Sequence, residues 1–234
     1  MRKWMYFILM LISVSCGSGC WDSSDLNTKS TPIVGAYDLS AQSDKEQYGN
    51  KVDLIAIMPL FDREAKNKYF VDFTSGTDVI DNRNKKQYHL SNSYQTGTGQ
   101  CLLFGVELAR SKDFIGALEV SLRNPNFGKD KKIGVAEPTS KEVLSIKNDN
   151  YSNPATYIID LLNNINSKVF QVNMTMHQFS YSMNNPGLNG VLPIIKNMGD
   201  GKLAIYGTAI FRKDIMIARA DVPESEILTF FRPG

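Results

Sequence analysis

The chain has 234 residues, of which 42% are hydrophobic, 10% aromatic and 21% charged. This is the composition of a folded domain with a sizeable core, and it excludes a largely disordered chain. The net charge is +2, and two of the 26 basic residues, Arg2 and Lys3, lie at the N-terminus; the other 24 are balanced by 24 acidic residues. A neutral domain has no long-range field to hold nucleic acid, so we expect no nucleic-acid partner and interpret Lys129, Lys131 and Lys132 as solvated loop charge.

The N-terminus has the pattern of a secretory signal peptide. Arg2 and Lys3 precede an uncharged run over 4–14, and small residues follow from Ser15 to Cys20. A positive start, a short apolar run and a small-residue exit predict a signal segment that is removed. The run is short for a transmembrane helix, which needs about 20 apolar residues.

A cysteine after small residues at the end of such a run indicates a lipoprotein. Diacylation of the thiol, with cleavage just before it, makes that cysteine the first mature residue, and two or three acyl chains anchor a protein stably where one does not. Cys16 and Cys20 are both candidates on local sequence, and neither has the usual leucine three residues upstream. Plain cleavage with soluble release and an uncleaved anchor are the alternatives.

The first part of the mature chain is predicted to be rich in β-strands. Residues 20–31 are polar and are interpreted as a tether. Apolar patterning predicts strands at 33–37, 52–61 and 69–73, with a polar loop around Gly49 and Asn50 between the first two. The segment 76–99 is polar and weakly patterned, and no element is predicted there.

Helices and strands are mixed in the rest of the chain. A strand is predicted at 102–106 and a helix at 107–124. The later predicted elements are a strand at 132–136, a short helix capped by Thr139 or Ser140, a helix starting at Asn153 and Pro154, a helix at 175–183, a hairpin at 202–220 and a last helix opened by Asp221 and Glu224. This irregular order predicts an α+β fold with mixed sheets and packed helices.

The residues that carry chemistry do not form a recognisable site. The two histidines, His89 and His177, have no partner at metal-ligand spacing. Cys101 has no nearby cysteine, and its context predicts a buried, inert thiol. The segment 97–99, Gly-Thr-Gly, lacks the further residues of both phosphate-binding patterns. We therefore expect no catalytic residue, no metal and no cofactor.

Five short segments together match the pattern of a known family. They are 20–27 (Cys-Trp-Asp-Ser-Ser-Asp-Leu-Asn), 105–110 (Gly-Val-Glu-Leu-Ala-Arg), 123–125 (Arg-Asn-Pro), 192–193 (Leu-Pro) and 205–214 (Ile-Tyr-Gly-Thr-Ala-Ile-Phe-Arg-Lys-Asp). In order and approximate spacing they resemble the Ger(x)C spore germination proteins, the lipoprotein C subunits of germinant receptors. The resemblance extends over nearly the whole chain.

The resemblance implies a domain organisation and an anchor. It selects Cys20 as the lipidated residue, with a lipoprotein signal peptide at 1–19, the tether at 20–31 and a Ger(x)C N-terminal-like α+β region at 32–234. Trp21 is the candidate for seating the anchor at the membrane interface. Family members usually continue into a further C-terminal domain, which we expect to be absent here.

The resemblance also implies a function. The protein would sit on the outer face of the spore inner membrane, touching membrane lipid through its anchor and the A and B membrane subunits of a germinant receptor. It would not be an enzyme, and its link to a small-molecule germinant would be indirect. A lipid-anchored solute-binding or envelope protein unrelated to germination is the alternative, and a surface hydrolase is a third hypothesis.

Overall fold

The computed structural model describes residues 29–41, 51–60, 68–167 and 174–230, together with residues 3, 4 and 6. The strands in these ranges are β1 (Lys29–Ser30), β2 (Val34–Leu39), β3 (Val52–Pro59), β4 (Tyr69–Gly76), β5 (Ser93–Tyr94), β6 (Cys101–Gly105), β7 (Lys132–Glu137), β8 (Val191–Gly199), β9 (Lys202–Arg212) and β10 (Ile215–Ala220). The helices are α1 (Val79–His89), α2 (Val106–Ala109), α3 (Asp113–Arg123), α4 (Ser140–Leu144), α5 (Pro154–Asn163), α6 (Met176–Asn184) and α7 (Val222–Phe230). A 3₁₀ turn, Asn164–Ser167, follows α5.

Eight of these strands form one mixed β-sheet, in the order β10-β9-β8-β7-β6-β2-β3-β4. The central strands β8, β7, β6 and β2 are parallel to one another. The antiparallel strands β9 and β10 extend the sheet on one side, and β3 and β4 extend it on the other. β1 and β5 form a separate, short parallel pair. The predicted α+β fold with mixed sheets and packed helices is confirmed.

Helices cover both faces of the sheet, because its parallel strands carry apolar side chains on both sides. In β6, Leu102 and Phe104 enter one core, while Cys101 and Leu103 enter the other. The first core is covered by α1, α2, α3 and α6, and the second by α4 and α5. The first core contains four phenylalanine rings whose neighbouring centroids lie 4.9 to 6.0 Å apart: Phe104, Phe114, Phe179 and Phe211.

Local capping signals place several helix starts where the sequence predicts them. The Asn153 side chain accepts a backbone hydrogen bond of 2.9 Å, and Pro154 is the first residue of α5. Thr139, one of the two predicted candidates, caps α4. Asp221 and Glu224 exchange hydrogen bonds of 3.0 Å at the start of α7, which is the predicted capping box.

The predicted continuous helix over 107–124 is wrong, because the chain forms two helices, α2 and α3, instead. The Ser111 hydroxyl donates to the Leu108 carbonyl at 2.9 Å and accepts from the Asp113 amide at 3.1 Å. A serine that binds nearby backbone groups in this way competes with the helical ladder. The helix therefore ends before Ser111 and a new one begins at Asp113.

Besides the two-residue strands β1 and β5, two elements lie where none was predicted. The first is α1, within the polar segment 76–99; its buried positions are Val79, Asn82 and Lys86. The second is β8, which pairs with β7 on one side and β9 on the other. Among the described residues, no helix has the length and apolar character needed to span a membrane.

Candidate functional site

The predicted anchor residues, Cys20 and Trp21, lie outside the described residues. The described part of the main body begins at β1, where Lys29 and Ser30 pair with Ser93 and Tyr94 of β5. The Gln95 amide extends this pairing by donating to the Ser30 carbonyl at 3.0 Å. Lys29 and Ser30, the first described residues after Cys20, therefore join the domain beside β5.

The three residues considered for metal or thiol chemistry do not assemble a site. Cys101 is a free cysteine, only 1% exposed, and burial raises the pKa of its thiol well above the ordinary value. His177 is exposed, and His89 contacts the Lys85 carbonyl and Asp72. In the described ranges, no three His, Cys, Asp or Glu side chains are placed to hold a metal ion.

A buried carboxylate lies where β2, β6 and α4 meet. Asp38, near the end of β2, accepts hydrogen bonds from the backbone amides of Ser140 at 2.8 Å and Lys141 at 3.0 Å. Burial raises the pKa of Asp38, although these hydrogen bonds oppose the rise. The carboxylate thus supplies partners for the first amides of α4, which have none within the helix.

Gly105 is the residue that leaves room for this carboxylate. A Cβ atom at Gly105 would approach the Asp38 carboxylate oxygen to well under 3.0 Å. Gly105 has φ −61° and ψ 148°, which any residue adopts, so the requirement for glycine here is one of space. It opens the Gly-Val-Glu-Leu-Ala segment at 105–109, whose Leu108 and Ala109 are fully buried. The buried members of this motif therefore serve packing.

A second polar cluster lies between α1 and β4. The Lys86 side chain is completely buried, and its ammonium forms an ion pair with Asp72. The other Asp72 oxygen lies 2.9 Å from Nε2 of His89, which is partly exposed. Burial alone would raise the pKa of Asp72, but the hydrogen bonds from Lys86 and His89 hold it below its ordinary value. The sequence gives no local sign of this cluster, because Asp72 lies in β4 whereas Lys86 and His89 lie in α1.

Lys131 is buried, so its interpretation as solvated loop charge is wrong. Its ammonium donates to the carbonyls of Thr96 at 2.8 Å and Gly97 at 3.3 Å. It also lies 3.7 Å from the centre of the Phe127 ring. Desolvation lowers the pKa of Lys131 to about 8, with Asp130 opposing and Arg83 adding to the effect. The lysine thus holds the 96–99 loop in place.

A polar cavity of about 320 Å³ lies beside the start of α5. Two of its lining residues, Tyr151 and Tyr157, stack with ring centroids 4.3 Å apart and planes 14° apart. The Tyr157 hydroxyl donates to the Leu203 carbonyl at 3.0 Å and accepts from the Leu203 amide at 3.1 Å. Asn148 donates to the Gly201 carbonyl at 2.7 Å. These polar groups fix the cavity wall, and none of the sequence-predicted site residues lines it.

Comparisons with known proteins place the chain in a family. The model of the spore germination protein N-terminal domain matches residues 22–197. The chain is 25% identical, over 98% of its own length, to the putative spore germination protein YfkR of Bacillus subtilis (strain 168), and spans 60% of that protein. The crystal structure of the GerBC protein matches with a TM-score of 0.42 and 14% identity, over 82% of this chain and 54% of that one. On the family match, which covers most of the sequence, the chain belongs to the family of the spore germination protein N-terminal domain, as its Ger(x)C-like motifs predict.

Proposed function

We propose that this protein is a lipid-anchored, non-catalytic subunit of a spore germinant receptor. It is held through Cys20 on the outer face of the spore inner membrane, and it acts by contact with the A and B membrane subunits. The match of 22–197 to the spore germination domain carries this proposal. That match starts two residues after Cys20, at the point where the signal-like segment of the chain ends.

The chemistry of the described residues supports a binding role. The buried charged groups, Asp38, Lys86 and Lys131, all bind other parts of the same domain. A group that is fully engaged in holding the fold is not available to transfer protons or attack a substrate. Contact through the surface is therefore the activity that this arrangement supports best.

A lipid-anchored solute-binding protein is the second candidate. The cavity beside Tyr151 and Tyr157 favours it, because aromatic rings and a few fixed polar groups are common features of small-molecule sites. Nothing in this second candidate conflicts with the anchor at Cys20. Binding of free amino acids or sugars by the protein without A and B subunits, abolished by Tyr151→Ala, would favour it over the receptor subunit.

The anchor is tested by comparing Cys20→Ala with its matched control, Cys16→Ala, in sporulating cells. We expect Cys20→Ala to lose palmitate labelling and membrane association, because no acylated thiol remains. Cys16→Ala should keep both, since Cys16 leaves with the signal. Labelling that survives Cys20→Ala and is lost in Cys16→Ala would place the anchor at Cys16.

The receptor role is tested by co-purification. An affinity tag at the C-terminus should recover A- and B-type membrane subunits from spore membranes solubilised in mild detergent. Cys20→Ala should reduce that recovery, because a released protein is no longer concentrated at the membrane. Recovery of the wild-type protein without either subunit would contradict the proposed function.

A further inference from the structure

We propose that the outer stripe of α1, formed by Ile80, Asn84 and Tyr88, lies against the phospholipid head groups of the membrane. The inference rests on the proposed anchor at Cys20. It adds an orientation: the side of the domain that carries β5 and α1 faces the bilayer, and the β10 end of the sheet points away.

The length of chain after the anchor limits how the domain sits. Nine residue steps lead from Cys20 to Lys29, and a chain of that length reaches at most about 30 Å when fully extended. A folded domain of this size is roughly 40 Å across. The anchored chain is therefore too short to pass around the domain, and the place where Lys29 joins β5 stays within about 30 Å of the membrane.

That entry point is next to α1. Ser30 pairs with Tyr94 of β5, and the Tyr94 amide donates to the Gln87 side chain of α1 at 2.9 Å. The residue after Gln87 is Tyr88. The C-terminal half of α1 is thereby held beside the strand pair through which the anchored segment enters.

The outer face of α1 has the side chains of a membrane-interface surface. Tyr88 is 86% exposed, the highest value among the large hydrophobic side chains in the described ranges, and Ile80 is 56% exposed. Residues 80, 84 and 88 follow one another at intervals of four and so share one stripe of the helix. A tyrosine with an apolar ring and a polar hydroxyl is suited to the head-group region, where one end of the side chain is wet.

The charges around the stripe also fit a phospholipid surface. Within α1, Asp81 is the one acidic residue, and its carboxylate is paired with Lys85 at 2.8 Å. The buried Lys86 is paired with Asp72 from β4. Arg83 is half-buried, and its guanidinium donates to the Thr96 hydroxyl at 3.5 Å. The one carboxylate within α1 is therefore paired, and the exposed carboxylate of the N-cap residue Asp78 accepts hydrogen bonds from the amides of Ile80 and Asp81.

The experiment uses the acylated protein reconstituted into vesicles of phosphatidylcholine and phosphatidylglycerol. Tyr88→Cys and the control Ile217→Cys are each labelled with a nitrobenzoxadiazole fluorophore. Ile217 is 50% exposed on β10, at the other end of the sheet from β4 and about 30 Å away across seven strand spacings. Cys101 is buried and stays unlabelled. Vesicle flotation reports anchoring, and quenching by spin-labelled phosphatidylcholine reports which side faces the lipid.

We expect at least threefold stronger quenching, and a blue-shifted emission, for the label at residue 88 relative to residue 217. Equal quenching at both positions, or stronger quenching at 217, in protein that floats with the vesicles would overturn the orientation and leave the anchor standing. Failure of the wild-type protein to float would remove the anchor and, with it, this inference. A blue shift of the label at residue 88 that appears only when A and B subunits are present, without quenching by the spin-labelled lipid, would assign the stripe to a protein partner and would also overturn the inference.

Discussion

Replacing Gly105 with alanine tests whether the buried carboxylate of Asp38 organises the end of the parallel strands. The added methyl group would overlap the Asp38 oxygen that binds the Ser140 amide. The carboxylate must then move, and its hydrogen bonds to the amides of Ser140 and Lys141 weaken together. Loss of a helix-capping interaction costs about 0.5–2 kcal/mol, and hydrogen bonds to charged groups contribute about 1.5–3 kcal/mol each. We expect Gly105→Ala to lower the free energy of unfolding by about 3 kcal/mol, which corresponds to two such hydrogen bonds at the lower end of their range.

The matched control is Gly116→Ala. Gly116 lies in the interior of α3, and nothing lies within 4 Å of an added Cβ there. Alanine at this position should raise the free energy of unfolding by about 0.5–1 kcal/mol, because glycine is the poorer helix former. Urea unfolding of a chain that starts at Cys20, followed by far-UV circular dichroism, measures both changes on one scale.

A double-mutant cycle separates the overlap from a general intolerance of substitution. In an Asp38→Ala background the obstructing oxygen is gone, so Gly105→Ala should cost less than about 1 kcal/mol, leaving a coupling energy of about 2 kcal/mol. An equal cost of Gly105→Ala in both backgrounds would refute the assignment to Asp38. A cost below about 0.5 kcal/mol in the parent protein would refute the overlap itself, since surface substitutions without strain fall in that range.

Three other substitutions test the remaining polar contacts. Asp72→Ala should destabilise the domain by about 3–5 kcal/mol, because it leaves the ammonium of Lys86 buried and unpaired. The pKa of Asp72 is lower in the folded than in the unfolded state, so the stability that the parent has over this variant should be lost as the pH falls below about 4. Lys131 has a pKa of about 8 in the folded protein, below its value in the unfolded chain. The unfolding free energy of the parent should therefore rise relative to that of Lys131→Met as the pH is raised from 8 to 10. A difference in unfolding free energy that stays constant over this pH range in urea titrations would contradict the lowered pKa. Gly201→Ala places a Cβ 2.5 Å from the Lys147 carbonyl, at a residue with φ +72°. It should lower stability more than Gly187→Ala, where φ is +89° and no atom lies near the added Cβ. Equal thermal unfolding midpoints for the two variants would show that the Lys147 contact is unimportant.

The features that sequence predicted well depend on neighbours along the chain. A helix cap such as Asn153 binds an amide three residues away, so the residues that form it are adjacent in the sequence. The same holds for the hairpin at 202–220, whose strands meet across a tight turn at Lys213. These elements could be predicted because their stabilising contacts are local.

The missed elements depend on distant partners. The buried face of α1 includes Asn82 and Lys86, so the helix lacks the apolar periodicity that predicts an amphipathic helix. The Asn82 side-chain nitrogen donates to the Val52 carbonyl of β3, and the Lys86 ammonium pairs with Asp72 of β4. A polar side chain becomes compatible with burial only when such a partner is present, and the partner is visible only in the folded structure.

β8 is hard to predict from local sequence for a different reason. Pro193 has no amide hydrogen, and a proline normally argues against a strand inside a sheet. Here the pairing with β7 begins only at Ile194, so Pro193 lies just beyond that ladder while it still pairs with Thr208 of β9. The register between strands decides whether the proline is tolerated, and that register is not a local property of the sequence.

The same distinction applies to function. The Gly-Val-Glu-Leu-Ala segment at 105–109 is recognisable from sequence, yet its buried residues, Gly105, Leu108 and Ala109, make room for Asp38 and fill the first core. A motif made of packing residues identifies the fold of the family. It does not identify the surface that binds a partner, which can be located only from the folded structure. The stripe that we propose at Ile80 and Tyr88 is an example, because the proposal depends on the pairing of β1 with β5 and not on any pattern in α1 itself. Recognition of this family and assignment of its contacts therefore rest on different residues.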